Sequence, residues 1–230
     1  MKLTILIPCL NEEETIAKVI KVVHNYLKKN NLLKESEILV SDNGSSDNSV
    51  KIARENNARV IITPQKGYGN ALINGIKNAR GKFIIMGDAD MSYDFNEMSS
   101  IIKYLDEGYD LVVGNRFKGG IDVHAMPLSH KIGVPFLSKV GNILFKTPIK
   151  DFHCGLRGFS KEQISKLNLE CPGMEFASEM ICKSSIKGLK MKEVPIKLHR
   201  DQRNKKSHLK TIRDGFRHLK YMIKLKIQSR

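Results

Sequence analysis

The stretch Phe83-Ile84-Ile85-Met86-Gly87-Asp88-Ala89-Asp90-Met91-Ser92 decides how this chain reads. Its first four residues form an unbroken apolar run bounded upstream by Gly81. That is the pattern of a strand buried on both faces of an α/β sheet. Two carboxylates then stand one residue apart where the strand should end. Side chains at i and i+2 of an extended segment point to the same side. Asp88 and Asp90 are therefore expected to converge, and the small Ala89 between them leaves room for a ligand. Two acids in one crevice repel each other unless a cation or a proton is shared. Their hard oxygens suit Mg2+ or Mn2+, ions that join carboxylates to substrate phosphates. Asp-x-Asp is also what a solvated loop contains. The strand before it and the helical pattern after it favour the metal.

Working outward, Lys2 to Pro8 is a buried strand closed by Pro8-Cys9-Leu10-Asn11-Glu12. Glu12, Glu13 and Glu14 precede an apolar repeat at Ile16, Val19, Ile20, Val23 and Leu27. The pattern predicts a helix with acids at its positive end and Asn11 as N-cap. Ile38 to Val40 is a strand that runs into a polar turn over 41–49, where Asp47 or Ser46 caps the next helix. Asp42 holds the same strand-end place as Asp88. Arg59 to Thr63 is a third strand, and Gln65-Lys66-Gly67-Tyr68-Gly69-Asn70-Ala71 opens a helix. Gly67 and Gly69 permit close backbone approach to a ligand, and Lys66 can meet a phosphate. The dinucleotide fingerprint is absent. Asp110 to Gly114 is a further strand, ending at Asn115-Arg116-Phe117. The planar fork of Arg116 matches a phosphate, although most arginines simply face solvent.

This β-α alternation predicts an α/β fold, a mostly parallel central sheet with helices on both faces. Ligands of such sheets bind at the carboxyl ends of the strands. The second half is less regular. His130 to Phe145 reads as a helix, and 151–159 is a dense polar and aromatic stretch with two glycines. Gly173 to Met180 opens a helix with Glu175 and Glu179 one turn apart. Leu189 to Leu198 alternates as a strand, placed at an edge by Pro195.

The formal charge of +15 is local: 199–230 holds eleven Lys and Arg against two Asp. Leu209, Ile212, Phe216, Leu219, Ile223 and Ile227 follow helical spacing, with Lys210, Arg213, Arg217, Lys220 and Lys224 on other faces. Such a basic amphipathic helix suits an anionic membrane surface. It equally suits a helix packed on its own domain with its charges in solvent. The chain therefore divides into 1–198 and a C-terminal unit, 199–230, of basic loop and amphipathic helix. Cys9, Cys154, Cys171 and Cys182 show no C-x-x-C pairing, and no leader-like segment opens the chain. Reduced thiols and a cytoplasmic location are the expectation. Basic strands interleaved with aromatics are absent, which argues against a nucleic-acid partner.

Pro8-x-x-Asn11-Glu12, Asp42-Asn43-Gly44-Ser45-Ser46-Asp47, Lys66-Gly67-Tyr68-Gly69-x-Ala71, Asp88-Ala89-Asp90, Gly114-Asn115-Arg116-Phe117, 151–159 and 173–180, in this order, resemble the family 2 inverting glycosyltransferases. Within that family the likeness is to the dolichyl- and polyprenyl-phosphate sugar synthases. The resemblance implies a Rossmann-like nucleotide-sugar-binding domain of the glycosyltransferase A type. It implies that Pro8, Leu10, Asn11 and Glu12 line the base and ribose pocket, with Asp42 on the base or ribose and Lys66, Gly67, Gly69 and Ala89 nearby. Asp88 and Asp90 would hold Mg2+ or Mn2+ against the diphosphate of GDP-mannose or UDP-glucose. Arg116, Lys131, Arg200, Arg203 and Lys206 would meet phosphates of donor or lipid acceptor, and Asp151 would orient the acceptor or serve as a base. The tail helix would lie on the bilayer, at the cytoplasmic face.

Three positions depart from the family pattern: Asn43 replaces an Asp, Ser92 a Gln, and His130-Lys131 an Arg. Many relatives continue into transmembrane helices. A natively short enzyme, one working with a separate membrane subunit, and a truncated one stay open as alternatives. Two other functions remain in competition: transfer to a soluble or polysaccharide hydroxyl, which needs a base, and a catalytically idle basic binding module.

Overall fold

The computed structural model of the protein describes residues 1–203 and 211–229, with side chains from Arg213 onward in the second segment. The first half alternates β1 (Leu3–Cys9), α1 (Ile16–Lys29), β2 (Ser36–Asp42), α2 (Ser49–Glu55), β3 (Arg59–Ile62), α3 (Tyr68–Asn78) and β4 (Phe83–Met86). Then come α4 (Met98–Asp106), β5 (Leu111–Asn115), the short α5 (Arg116–Gly119) and α6 (Leu128–Phe145). The chain continues through β6 (Arg157–Ser160), α7 (Lys161–Ser165), α8 (Phe176–Ile186), β7 (Met191–Pro195) and α9 (Thr211–Gln228).

The strands form one sheet in the order β3-β2-β1-β4-β6-β5-β7. Pairs β1–β2, β1–β4, β2–β3 and β5–β7 are parallel. The expected parallel α/β architecture is therefore present, and β7 is at an edge as Pro195 requires. Its side chains explain why it forms. Ile5, Leu6, Ile7, Ile84, Ile85, Val112 and Phe159 are fully buried, in one core with Ile16, Val19, Ile20 and Val23 of α1. Each such side chain contributes roughly 1.5–3 kcal/mol by leaving water. β1 runs on through Pro8 to Cys9, because no β4 residue lies opposite it beyond Leu6 and no ladder bond there needs a proline N–H.

One strand was not legible. β6 starts inside the stretch 151–159, ends at Ser160, and runs antiparallel between β4 and β5. Its run is only four residues and contains Arg157 and Gly158, so it lacks an apolar signature. Arg157 is fully buried because its guanidinium donates to the carbonyls of Phe152 and Cys154. Gly158 is required because a Cβ there would lie 2.3 Å from Ile101. The reversal matters for the site. Arg157 pairs with Met86, so the segment arriving from Asp151 reaches the same sheet edge as Asp88 and Asp90.

The helix α9 packs on α6 and α8 with a face that its apolar spacing does not mark. Asp214, His218 and Met222 are buried, whereas Phe216, Ile223 and Ile227 are exposed. Polar partners explain the inward face: His218 Nδ1 lies 2.8 Å from Ser178 Oγ and 3.3 Å from His153 Nε2, and Arg217 pairs with Glu175. Lys205, Lys206, His208, Leu209, Lys210 and the side chain of Ile212 lie outside the described residues. No helix among the described residues is long and apolar enough to cross a membrane.

Burial lowers the His218 pKa to about 4, against the opposing pull of Glu175 and Asp214 and with the help of Arg217 and Arg157. A depressed folded-state pKa stabilises the fold above the unfolded value of 6.5, and that contribution is lost as pH falls towards about 4. The shift is worth about 3 kcal/mol. Urea midpoints of the wild type should therefore fall between pH 6.5 and 4.5 more steeply than those of His218→Gln. Parallel pH curves for the two proteins would refute the assignment.

Candidate active site

Asp88 and Asp90 sit just past the end of β4, half-buried, in a turn made possible by the left-handed Met91. Tyr68 Oη donates to Asp88 Oδ1 at 2.9 Å, and Ser92 N donates to Asp90 Oδ1 at 2.9 Å. Gly155 makes the floor: a Cβ there would lie 2.4 Å from Asp88 Oδ2. Its N–H donates to Tyr93 Oη at 2.8 Å, which holds the floor in place. Burial, followed by the charge of Asp90, pushes the Asp88 pKa up to about 6. Glu12, nearly buried at the start of the β1–α1 loop, is pushed up to about 7, first by burial and also by Asp90. Three carboxylates thus share one crevice and lack positive charge.

Arg203 supplies part of that charge. Its Nη1 lies 2.9 Å from Glu12 Oε1 and its Nη2 lies 3.1 Å from Asp90 Oδ2, while Nε binds both oxygens of Asp201. Backbone bonds from His199 N to Ser92 O and from Gln202 N to Asp90 O fasten this segment to the turn. A guanidinium standing between carboxylates shows that the pocket accepts a cation. Two hard carboxylate oxygens, at Asp88 and Asp90, fit Mg2+ or Mn2+ when the remaining ligands come from phosphates and water. Among the described residues no set of three His, Cys, Asp or Glu converges on a metal.

The turn after β2 forms the neighbouring wall. Asp42 Oδ2 accepts from Gly44 N and Ser45 N, but its Oδ1 is buried with no partner among the described residues. A buried unpaired carboxylate oxygen is costly and marks a place for a donor. Asn43 explains its own departure from the family pattern: its Nδ2 donates to Gln65 O and its Oδ1 accepts from Gly67 N. A carboxylate could not make the first of these bonds.

Several expected roles change. Asn11 is not an N-cap: α1 starts at Ile16, and Asn11, with φ 57°, accepts from Ser46 N instead. Asn48 occupies the N-cap position of α2, although Asp47 Oδ1 does accept from Ser49 N. Gly67 and Gly69 are demanded by protein packing, since a Cβ would lie 2.2 Å from Pro172 O and 2.0 Å from Cys171 O. That turn is held in turn by Glu179, which accepts from Glu170 N and Cys171 N. Lys66 is exposed beside it.

Arg116 and Asp151 do converge, but on each other. Arg116 Nε and Nη2 bind the two oxygens of Asp151 at 2.8 Å each, and Asp151 is fully buried. Asp151 as a general base for an incoming acceptor does not fit this geometry. Glu193 on β7 was not legible as a site residue. It accepts from Asp151 N, Lys150 N and Asn115 Nδ2, and so sets the pair. Its signal, an acid in an edge strand, is indistinguishable from a solvated one. Tyr68, between two glycines, was visible as a motif member, but its bond to Asp88 was not. Lys131 is exposed on α6; its neighbour His130 is half-buried, with a pKa lowered by burial and by the charge of Arg116. Arg200 is exposed next to the pocket wall, and among the described residues of the basic loop Arg203 enters the site. Pro8 and Ala89 are buried and Leu10 half-buried along the same edge.

A family model for glycosyl transferase family 2 matches residues 4–167. The chain is similar to the low-salt glycan biosynthesis hexosyltransferase Agl6 of Haloferax volcanii, 37% identical over 223 residues, 96% of this chain and 53% of that protein. It thus spans about half the length of that relative. It is also 27% identical over 212 residues, 92% of this chain and 67% of the relative, to the glycosyltransferase AglJ of the same organism. Among solved structures, glucosyl-3-phosphoglycerate synthase from Mycobacterium tuberculosis, in complex with Mn2+, UDP and glucosyl-3-phosphoglycerate, superposes with a TM-score of 0.76 at 19% identity. The match covers 98% of this chain and 79% of that one. That likeness establishes the glycosyltransferase A fold. On the family match and the Agl6 relationship together, the chain belongs to glycosyl transferase family 2.

Proposed function

We propose that this protein transfers a hexose, with inversion, from a nucleotide sugar such as GDP-mannose or UDP-glucose to a polyprenyl or dolichyl phosphate at the cytoplasmic face of a membrane. The donor half of the reading rests on the crevice of Asp88, Asp90 and Glu12 and on the unpaired Asp42 Oδ1, a ready acceptor for an N–H of the base or a ribose hydroxyl. A divalent ion held by Asp88 and Asp90 would stabilise the charge that develops on the departing diphosphate. Tyr68 orients Asp88, Ser92 N orients Asp90, and Tyr93 holds the floor at Gly155.

The observation that carries the lipid acceptor is the outward apolar stripe of α9. Phe216, Ile223 and Ile227 face solvent, with Lys220 and Lys224 on the same exposed side. Leu128, Ile132, Phe136 and Ile143 of the neighbouring α6 are exposed as well. Apolar patches rimmed by basic side chains suit an anionic bilayer. The acceptor's chemistry agrees with the burial of Asp151. A lipid phosphate is already ionised near neutral pH and needs no strong base, whereas a hydroxyl does.

The test is transfer of labelled mannose or glucose from GDP-mannose or UDP-glucose into polyprenyl phosphate in anionic vesicles, with and without EDTA. The expected result is EDTA-sensitive label in the organic phase from one donor. Donor turnover with no labelled lipid, and label instead in a soluble acceptor, would overturn the lipid assignment.

A further inference from the structure

The segment that ends in Arg203 has a stronger hold on the site than a phosphate-binding loop waiting for its ligand would need. Its guanidinium reaches two separate loops, at Glu12 after β1 and at Asp90 after β4, and its own Asp201 anchors Nε. Backbone bonds at His199 and Gln202 fix the segment's register on the turn from Asp90 to Ser92. Nη2 lies 3.1 Å from Asp90 Oδ2, the oxygen opposite the one that Ser92 N engages. Both oxygens of Asp90 are thus engaged in the empty site, Oδ1 by a backbone N–H and Oδ2 by the guanidinium. A cation binding Asp90 would therefore have to contend with the guanidinium for this carboxylate, and the side chain of Arg203 is only 12% exposed.

We propose that Arg203 is an internal counter-ion latch: it neutralises Glu12 and Asp90 while the donor site is empty, and it gives up Asp90 to a divalent cation only when a nucleoside diphosphate offers it replacement oxygens. The inference rests on the donor and metal reading above and adds a binding order to it. A cation arriving alone must break an ion pair and leave a guanidinium facing the incoming charge. A cation arriving with a diphosphate brings two or more negative charges, and the planar fork of Arg203 can transfer to them. Metal and diphosphate consequently strengthen each other's binding through Arg203, beyond any direct bond between the two, and by linkage the effect is reciprocal. The latch also limits the binding of bare Mg2+ or Mn2+ in the absence of donor. Among the described residues, the other charges facing the guanidinium are Asp88, Asp201 and Glu12, all acidic, and they keep the released fork within the site.

The test reads free Mn2+ by electron paramagnetic resonance in titrations of wild type, Arg203→Ala and Arg203→Lys, each alone and with GDP or UDP. Without nucleotide, Arg203→Ala is expected to bind Mn2+ about tenfold more tightly than wild type. Arg203→Lys, which keeps the charge but not the fork, should show a smaller gain. The factor by which diphosphate tightens Mn2+ should be smaller in Arg203→Ala than in wild type. Equal Mn2+ affinity of all three proteins without nucleotide, with binding intact when GDP or UDP is present, would overturn the latch alone. Absence of Mn2+ binding in every protein even with diphosphate would overturn the donor-site reading together with the latch. Far-UV circular dichroism of the variants confirms that each titration is made on folded protein.

Discussion

Asp88→Asn is expected to reduce sugar transfer by about 10³-fold and, in the same protein, to raise the urea midpoint at pH 8. The two effects share a cause. Asp88 lies in a crevice with Asp90 and Glu12, and burial together with the Asp90 charge raises its pKa to about 6. A raised folded-state pKa contributes stability that is present below the unfolded value of 3.8 and lost as pH rises through about 6. At pH 8 the ionised carboxylate is therefore held at a cost. Asparagine keeps the shape and can still accept from Tyr68 Oη, so it removes the repulsion without opening a hole. After allowance for solvent screening the gain is on the order of 1 kcal/mol. On the proposed function, the same change would also take a carboxylate ligand from the cation, and with it the stabilisation of the leaving diphosphate. A purely structural aspartate predicts the reverse pattern, with stability lost and activity following it. Retained transfer in Asp88→Asn, or a lower midpoint, would refute the assignment. The opposition of stability and activity is what a functional carboxylate cluster leaves behind.

The largest stability effect is expected at Asp151. Replacing it by alanine should cost about 3–5 kcal/mol, because it leaves the Arg116 guanidinium buried without its counter-charge. Both oxygens of Asp151 are held by Arg116, and its backbone N–H is held by Glu193. The pair therefore pins the end of β5 to the segment that leads into β6, beneath the proposed donor site. In a chain of 230 residues the melting temperature should drop by roughly 10 °C. A double-mutant cycle separates the pair from mere packing. Arg116→Met with Asp151→Leu should cost much less than the two single changes added together, since no unpaired charge then remains. Additive losses would mean that the ion pair itself contributes little and that packing around it dominates.

How much of this could be read without coordinates differs from segment to segment. The strand before Asp88 was legible because four consecutive apolar residues admit few other fates in an alternating β-α pattern. The pairing of strand ends with acidic residues was legible for the same reason, at Asp42 as at Asp88. The helix α9 was legible as a helix, but its buried face was not. The inward side carries Asp214 and His218, and the partners of His218, Ser178 and His153, are distant in sequence. β6 was hidden because Arg157 and Gly158 make no periodic pattern. Gly67 and Gly69 were read as permitting close backbone approach to a ligand, whereas what approaches them is the turn at Cys171 and Pro172, more than a hundred residues downstream.

The sequence by itself determined the α/β class, the family, and the place of the acids Asp42, Asp88 and Asp90 at the carboxyl ends of their strands. These are local properties: apolar runs set strands, and the residues that follow a strand reach its end whatever the rest of the chain does. Only the tertiary structure decided which charges meet. Arg116 and Asp151 are 35 residues apart, and Glu12 and Arg203 are 191 apart. Neither pairing has a local signature, because an ion pair is specified by two separate segments arriving at one low-dielectric place, and only the folded sheet brings them there.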